Sequence, residues 1–205
     1  MSGTSATRRG RLAAASIIVS TLVGGLVVAG GTAEAAAISC TTRTTTKAFA
    51  AWGDTNPYFV VADGSFETTG TTWTTRNTSL ATGNEPWKVL GSGHNKALKL
   101  APNAVATTAQ FCVASAEDAL RFFVKSPGVA SSRLHVHIDV VSGVNRATND
   151  YDIVGSSTGW APSQRIMLPD IRDASGKQLV TISFSVVGTA TWHLDDVMID
   201  PWRLF

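Results

Sequence analysis

Residues 134–141 read LHVHIDVV, in which Leu134, Val136, Ile138 and Val140 alternate with His135, His137, Asp139 and Val141. Successive side chains of an extended chain point to opposite faces, so this stretch is a half-buried strand with one aliphatic face and one polar face. The same period recurs on either side of it. In LRFFVK, Leu120, Phe122 and Val124 share one face and Arg121, Phe123 and Lys125 the other; in ISFSVV, Ile182, Phe184 and Val186 point inward. Working outward, strands are expected at Tyr58–Ala62, Ala97–Leu100, Thr107–Val113, Leu120–Lys125, Leu134–Val141, Tyr151–Val154, Arg165–Leu168, Leu179–Val187 and Thr191–Ile199. Each is short, rich in β-branched or aromatic residues, and bounded by Gly, Pro, Asn, Asp or Ser. No stretch keeps a helical period for three turns. The one helical turn expected is Ser115–Ala119, where Ser115 can cap and Glu117 and Asp118 occupy the first turn. About nine short strands without intervening helices make an all-β protein, a β-sandwich or jelly roll.

The N-terminal sequence and the charge balance define the setting. Arg8, Arg9 and Arg11 precede an apolar, small-residue run from Leu12 to Gly31, and Ala33-Glu34-Ala35-Ala36-Ala37 follows. A basic start, an apolar centre and an A-x-A site are the parts of a secretory signal peptide. Residues 1–35 are therefore expected to be removed and the protein to be secreted, extracellular or cell-wall associated. Gly24-Gly25 and Gly30-Gly31, with that cleavage-like flank, argue against a retained membrane anchor. Removal takes three of 17 basic and one of 15 acidic residues, leaving 14 of each. A neutral mature chain offers nucleic acid or an anionic membrane no electrostatic foothold. Residues 36–57 read as a Thr-rich leader and residues 58–205 as one jelly-roll domain, expected to be monomeric. Cys40 and Cys112 are the two cysteines of the chain, and in an oxidising compartment they are expected to form one disulfide.

Three landmarks carry a resemblance: Gly64-Ser65-Phe66-Glu67 near the first strand, Gly159-Trp160 further on, and Trp192-His193-Leu194-Asp195-Asp196-Val197 at the close. In this order and spacing, residues 58–200 resemble the galactose-binding-like carbohydrate-binding modules, especially families four, nine and twenty-two. Those families commonly open on an N-G-x-F-E-like stretch and close on an aromatic-x-I-D-D-V-like strand; here Asp63 stands for the Asn and Leu194 for the Ile. The resemblance implies a jelly roll that binds polysaccharide or cell-wall glycan without catalysis. It also implies a structural calcium held by Glu67 and an aspartate of the closing strand, Asp195 first and Asp196 as the alternative. Calcium takes about six to eight hard oxygens, which carboxylates and the carbonyls of a Gly-containing turn can supply. Both aspartates could instead sit at a strand end, bonded to backbone N–H groups without metal.

Six tryptophans can serve a core or a ligand, since an aromatic ring stacks on the apolar face of a pyranose and buries much area at low entropic cost. Trp73, in TTGTTWTTRNTS, and Trp87, beside Pro86 and Lys88, lie in loop-like polar surroundings and are the expected exposed platforms. Trp160 and Trp192 match structural positions of the resembled families, while Trp52 and Trp202 are expected to pack the chain ends. His135, His137 and Asp139 share the polar face of their strand, with Arg121 and Phe123 expected on a neighbouring one. This stripe is either a groove for a sugar or a solvated outer face. The two histidines could share a metal, but zinc needs a third or fourth ligand that the sequence does not place. Catalysis has no signature, for no G-x-S-x-G elbow, H-E-x-x-H or phosphate-binding Gly loop occurs. Binding without chemistry is the expectation; a structural or interaction protein of the cell envelope, or a small glycan hydrolase, are the other functions such a scaffold allows.

Overall fold

The structure, a computed structural model, describes residues 40–68 and 72–200. The expected signal segment, residues 1–35, and Trp202 lie outside the described residues. Among the described residues eleven strands follow one another: β1 (Phe59–Val60), β2 (Trp73–Thr82), β3 (Lys96–Thr108), β4 (Phe111–Val113), β5 (Ala119–Pro127), β6 (Arg133–Ser142), β7 (Asn145–Val154), β8 (Thr158–Pro162), β9 (Ile166–Met167), β10 (Gln178–Val187) and β11 (Trp192–Asp200). All of their pairings are antiparallel. Among the described residues the one helix is a 3-10 turn, Ala50–Trp52. Ser115–Ala119, expected as a helical turn, is a plain turn leading into β5, closed by the Glu117 side chain accepting the Ala114 N–H at 2.7 Å.

The strands run hydrogen-bonded in the order β7-β6-β10-β3-β11-β5-β8, with β2 on β3, β1 on β11, β4 on β10 and β9 on β5. The all-β jelly roll anticipated from the alternation is therefore present, built on β3. The first half of β3 pairs with β11 through Leu98 and Leu100, and its second half pairs with β10 through Val105 to Thr107. Between them β2 and β3 turn a corner together. Arg76 faces Val105 and Thr78 faces Leu100, so residues 101–104 stand opposite Asn77 alone. Asn77 and Asn103 hold φ of 55° and 59° there, a left-handed conformation that asparagine tolerates better than most residues.

Two expectations change here. The Thr-rich segment around Trp73 is the ten-residue strand β2, not a loop. Threonine is β-branched and suits an edge strand whose outer face meets water, so its polarity misleads while its shape does not. The short β8, Thr158–Pro162, also went unmarked, because Gly159 and Pro162 read as turn residues; on an edge strand both are tolerated.

The aliphatic faces read from the sequence meet in one core. Leu120, Phe122, Val124, Leu134, Val136, Ile138, Val140, Ile182, Phe184 and Val186 are all buried in it, with Trp192 and Leu194 from β11. Phe122 and Phe184 meet edge to face at 5.0 Å, and the Trp192 indole N–H donates to Ser132 Oγ at 2.9 Å. Burying each such side chain stabilises the fold by roughly 1.5–3 kcal/mol.

The opposite face of β5 and β11 is also covered. Phe49, Tyr58, Phe123 and Met198 form a second buried cluster there, against which Val89, Leu90 and Trp160 pack. Residues 40–58 supply half of it. They are held by a bridge between Thr46 and Tyr58, by Arg43 bonding Glu117 and the Cys112 carbonyl, and by the Cys40–Cys112 disulfide. Closing that 72-residue separation stabilises the fold by about 4 kcal/mol through the chain entropy of the unfolded state.

Candidate functional site

β11 does not run straight. Asp195 pairs with Phe123 and Met198 with Arg121, so Asp196 and Val197 form a bulge in which Asp196 has φ of 45°. The loop after β1 docks on that bulge: Val61 N–H donates to the Val197 carbonyl and Val197 N–H donates to the Gly64 carbonyl. Gly64 is required by this close approach. A Cβ there would lie 2.8 Å from Val61 Cγ2 and 2.9 Å from the Val197 carbonyl oxygen.

The bulge brings both aspartates, buried, towards Glu67 and Glu85. Asp195 Oδ1 accepts the Asp196 N–H at 2.9 Å, and its Oδ2 accepts the Glu85 N–H at 3.2 Å. Glu85 is itself buried, and its carboxylate gathers the N–H groups of Trp87, Lys88 and Val89 at 2.5–2.7 Å. Glu67 Oε1 accepts the N–H groups of Asn95 and Lys96, both at 2.9 Å, where the loop re-enters β3. Asp196 Oδ1 is buried with no hydrogen-bond partner.

Burial pushes Asp195 up to about 7, with the charges of Glu85 and Glu67 adding to it. Burial, then the charges of Asp195, Glu85 and Glu67, pushes Asp196 up to about 9. Four carboxylates that feel one another's charge, one of them with an orphaned buried oxygen, suit a hard divalent cation, which would supply the missing partner and cancel the repulsion. Glu67, Asp195 and Asp196 were singled out in the sequence. Glu85 was not, because a single acid in a turn carries no signal until the fold sets it beside β11.

Two residues after Glu85, the same loop places Trp87 on the second hydrophobic cluster. Trp87 is 43% exposed and meets Trp52, 37% exposed, edge to face at 4.7 Å. Both rings lie over Phe123, at 5.6 and 5.5 Å. Phe123 stacks in turn on Phe49 at 5.1 Å, and the Arg121 guanidinium sits 3.9 Å over the Phe49 ring. Asp54 anchors this arrangement by accepting Arg121 Nη1 at 2.7 Å and the Tyr58 hydroxyl at 2.6 Å. Along the same face, strand register aligns Lys99, His193, Lys125 and Trp160 across β3, β11, β5 and β8. Burial, with Lys125 and Lys99 on either side, holds His193 below its usual value and so uncharged near neutral pH.

The expected ligand residues divide among three places. Trp87 is exposed as anticipated. Trp73 is not: it is 8% exposed, lies over Phe184 at 6.1 Å and donates its indole N–H to the Ala62 carbonyl, because β2 turns its first side chain into the core. Phe123 is fully buried as the floor beneath the two tryptophans. Nor is it beside His135 and His137, since β6 lies between β7 and β10 whereas β5 lies between β11 and β8. Those histidines face Asp152 and Asp150 on the polar side of the β6–β7 hairpin. Trp52, expected to pack a chain end, is half of the exposed pair, brought there by the disulfide-bonded segment.

No protein-family model and no curated protein sequence matches the chain. Similar solved structures include the enzymatically active domain of tailspike protein 4 from bacteriophage CBA120, at 17% identity and a TM-score of 0.49 over 69% of this chain. This chain spans 21% of that one. A family 11 carbohydrate-binding module of the Clostridium thermocellum cellulase Lic26A-Cel5E is similar at 16% identity and a TM-score of 0.40, covering 69% of this chain and 94% of its own. TmCBM61, solved with β-1,4-galactotriose, is similar at 14% identity and a TM-score of 0.39, covering 68% and 96%. Carbohydrate-binding modules with a jelly-roll fold thus recur among the solved structures similar to this chain.

Proposed function

We propose that this protein binds carbohydrate without catalysis, through the Trp52–Trp87 pair and the polar row beside it. The exposed pair carries this reading. Two indoles held on a buried phenylalanine present a rigid apolar surface that loses little entropy on binding, and sugar rings stack on such surfaces. His193, Lys99 and Lys125 stand along the same sheet face as donors and acceptors for hydroxyl groups. Wall or extracellular polysaccharide is the ligand class, in keeping with export through residues 1–35 and with a disulfide that persists outside the cytosol.

A structural calcium belongs to the same proposal. Glu67, Asp195 and Asp196 would hold it, with Glu85 as a further carboxylate, and it would order the loop that carries Trp87. The raised Asp195 and Asp196 and the unpartnered Asp196 oxygen support it.

Glycan-array and insoluble-polysaccharide retention, with calcium present, tests the binding role. Wild type should be retained on at least one glycan, and Trp87→Ala should lose retention while keeping its fold. A wild-type protein retained on no glycan refutes the proposal.

A further inference from the structure

The polar face of the β6–β7 hairpin plays no part in the site above, yet it is highly organised. His137 stands directly across from Asp150 and His135 from Asp152 in an unbroken antiparallel register. His137 Nδ1 lies 2.7 Å from Asp150 Oδ1, and His135 Nε2 lies 3.1 Å from the same oxygen. His135 Nδ1 lies 2.8 Å from Asp152 Oδ1. Two imidazoles therefore converge on one carboxylate oxygen, and one of them is held from behind by a second carboxylate.

That arrangement is over-supplied with acceptors. A neutral imidazole has one N–H and one lone pair. If His135 donates Nδ1–H to Asp152, its Nε2 lone pair confronts Asp150 Oδ1 at 3.1 Å, which is repulsive unless something positive stands between them. A second proton could do this, and so could a metal ion. The metal fits the whole group better. His135, His137 and Asp150 each offer one ligand atom within 4.8 Å of the other two. Zinc bonds of about 2.0–2.1 Å in a tetrahedron set ligand atoms about 3.3 Å apart, so for an ion to enter the His137–Asp150 pair must open by about 0.6 Å and the His135–Asp150 pair by about 0.2 Å. Asp152 then fixes the ring and tautomer of a ligating histidine, the usual outer partner of such a ligand.

We propose that His135, His137 and Asp150 bind a zinc-class divalent ion on the outer face of the β6–β7 hairpin, with Asp152 as a positioning residue. Two nitrogens and one oxygen select a borderline ion such as zinc over calcium or magnesium, which prefer oxygen alone. Three protein ligands leave a coordination position for water. The site is separate from the carboxylates of β11, which offer oxygen donors.

Calorimetric titration of chelator-treated full-length protein with zinc should give one site that excess calcium does not displace. His137→Gln and Asp150→Asn should each weaken it at least about tenfold, and Asp152→Asn about tenfold by releasing the His135 ring. Asp196→Asn should leave it unchanged. In the wild-type protein, zinc should shift the ring resonances of His135 and His137 and spare those of His94 and His193, a readout independent of any variant's folding. No saturable binding at millimolar zinc overturns the proposal. So does full affinity retained in His137→Gln and Asp150→Asn, or ring shifts confined to His94 or His193.

Discussion

The backbone N–H of Glu85 donates to Asp195 Oδ2 at 3.2 Å, while the Glu85 carboxylate gathers the N–H groups of Trp87, Lys88 and Val89. One residue thereby joins the acidic bulge of β11 to the loop that presents the exposed indole. Position of the aromatic surface and charge state of the bulge are mechanically linked.

Removing the Glu85 carboxylate should therefore be costly. In calcium, Glu85→Ala leaves three loop N–H groups without their acceptor and should lower unfolding stability by about 2–4 kcal/mol, allowing for water reaching some of them. Urea denaturation measures this. Glycan retention should fall with it, because Trp87 is no longer held; unchanged stability and retention would contradict the linkage.

The pH dependence has a definite sign. Asp195 and Asp196 keep protons in the folded, metal-free protein up to about 7 and about 9, well above the ordinary aspartate value of about 3.9. The folded state then binds more protons than the unfolded one between those limits. The stability that these two groups contribute is complete below about 4 and falls as pH rises through about 7 and about 9. In chelator, the unfolding temperature should decline across this window, and calcium should flatten the decline. A chelator-treated protein equally stable at both ends would refute the shifts.

Asp196→Asn separates repulsion from cation binding. Asparagine needs no proton taken up on folding, so the metal-free variant should unfold at a higher temperature than wild type near pH 8, yet gain less from added calcium. Thermal melts with calcium and with chelator decide it. A variant that calcium stabilises as strongly as wild type would remove Asp196 from the ligand set.

Two tryptophans should respond in opposite ways. Trp87→Ala strips an exposed ring and should abolish glycan retention with little effect on stability. Trp73→Ala empties a core position beside Phe66 and Phe184 and should cost about 3–5 kcal/mol, leaving retention intact in whatever fraction stays folded. Parallel denaturation and retention assays resolve the pair.

Reduction of Cys40–Cys112 should destabilise by about 4 kcal/mol and loosen residues 40–58. Phe49 and Trp52 come from that segment, so glycan retention should weaken under reducing conditions even where β5 and β11 stay folded. Retention indifferent to reductant would show that Trp52 adds nothing to the surface.

The strand faces were legible because alternation is a local property: burial of one face writes itself into every second residue of LHVHIDVV, LRFFVK and ISFSVV. The resemblance of the opening Gly64–Glu67 stretch and the closing aspartates drew three of the four clustered carboxylates from the sequence. Which residues share a surface is another matter, because it depends on pairing between distant segments. The corner at Asn77 and Asn103 decides that β3 serves both halves, and so that Trp73 is core. Glu85 meets Asp195 across a separation of 110 residues, Trp52 reaches Trp87 only because the N-terminal segment folds back over β5, and Asp150 meets His137 only through hairpin register. Local chemistry set each residue's preference for core, turn or water; the tertiary structure alone decided its neighbours, because the free energy that brings such groups together comes from burying the whole core rather than from the groups themselves.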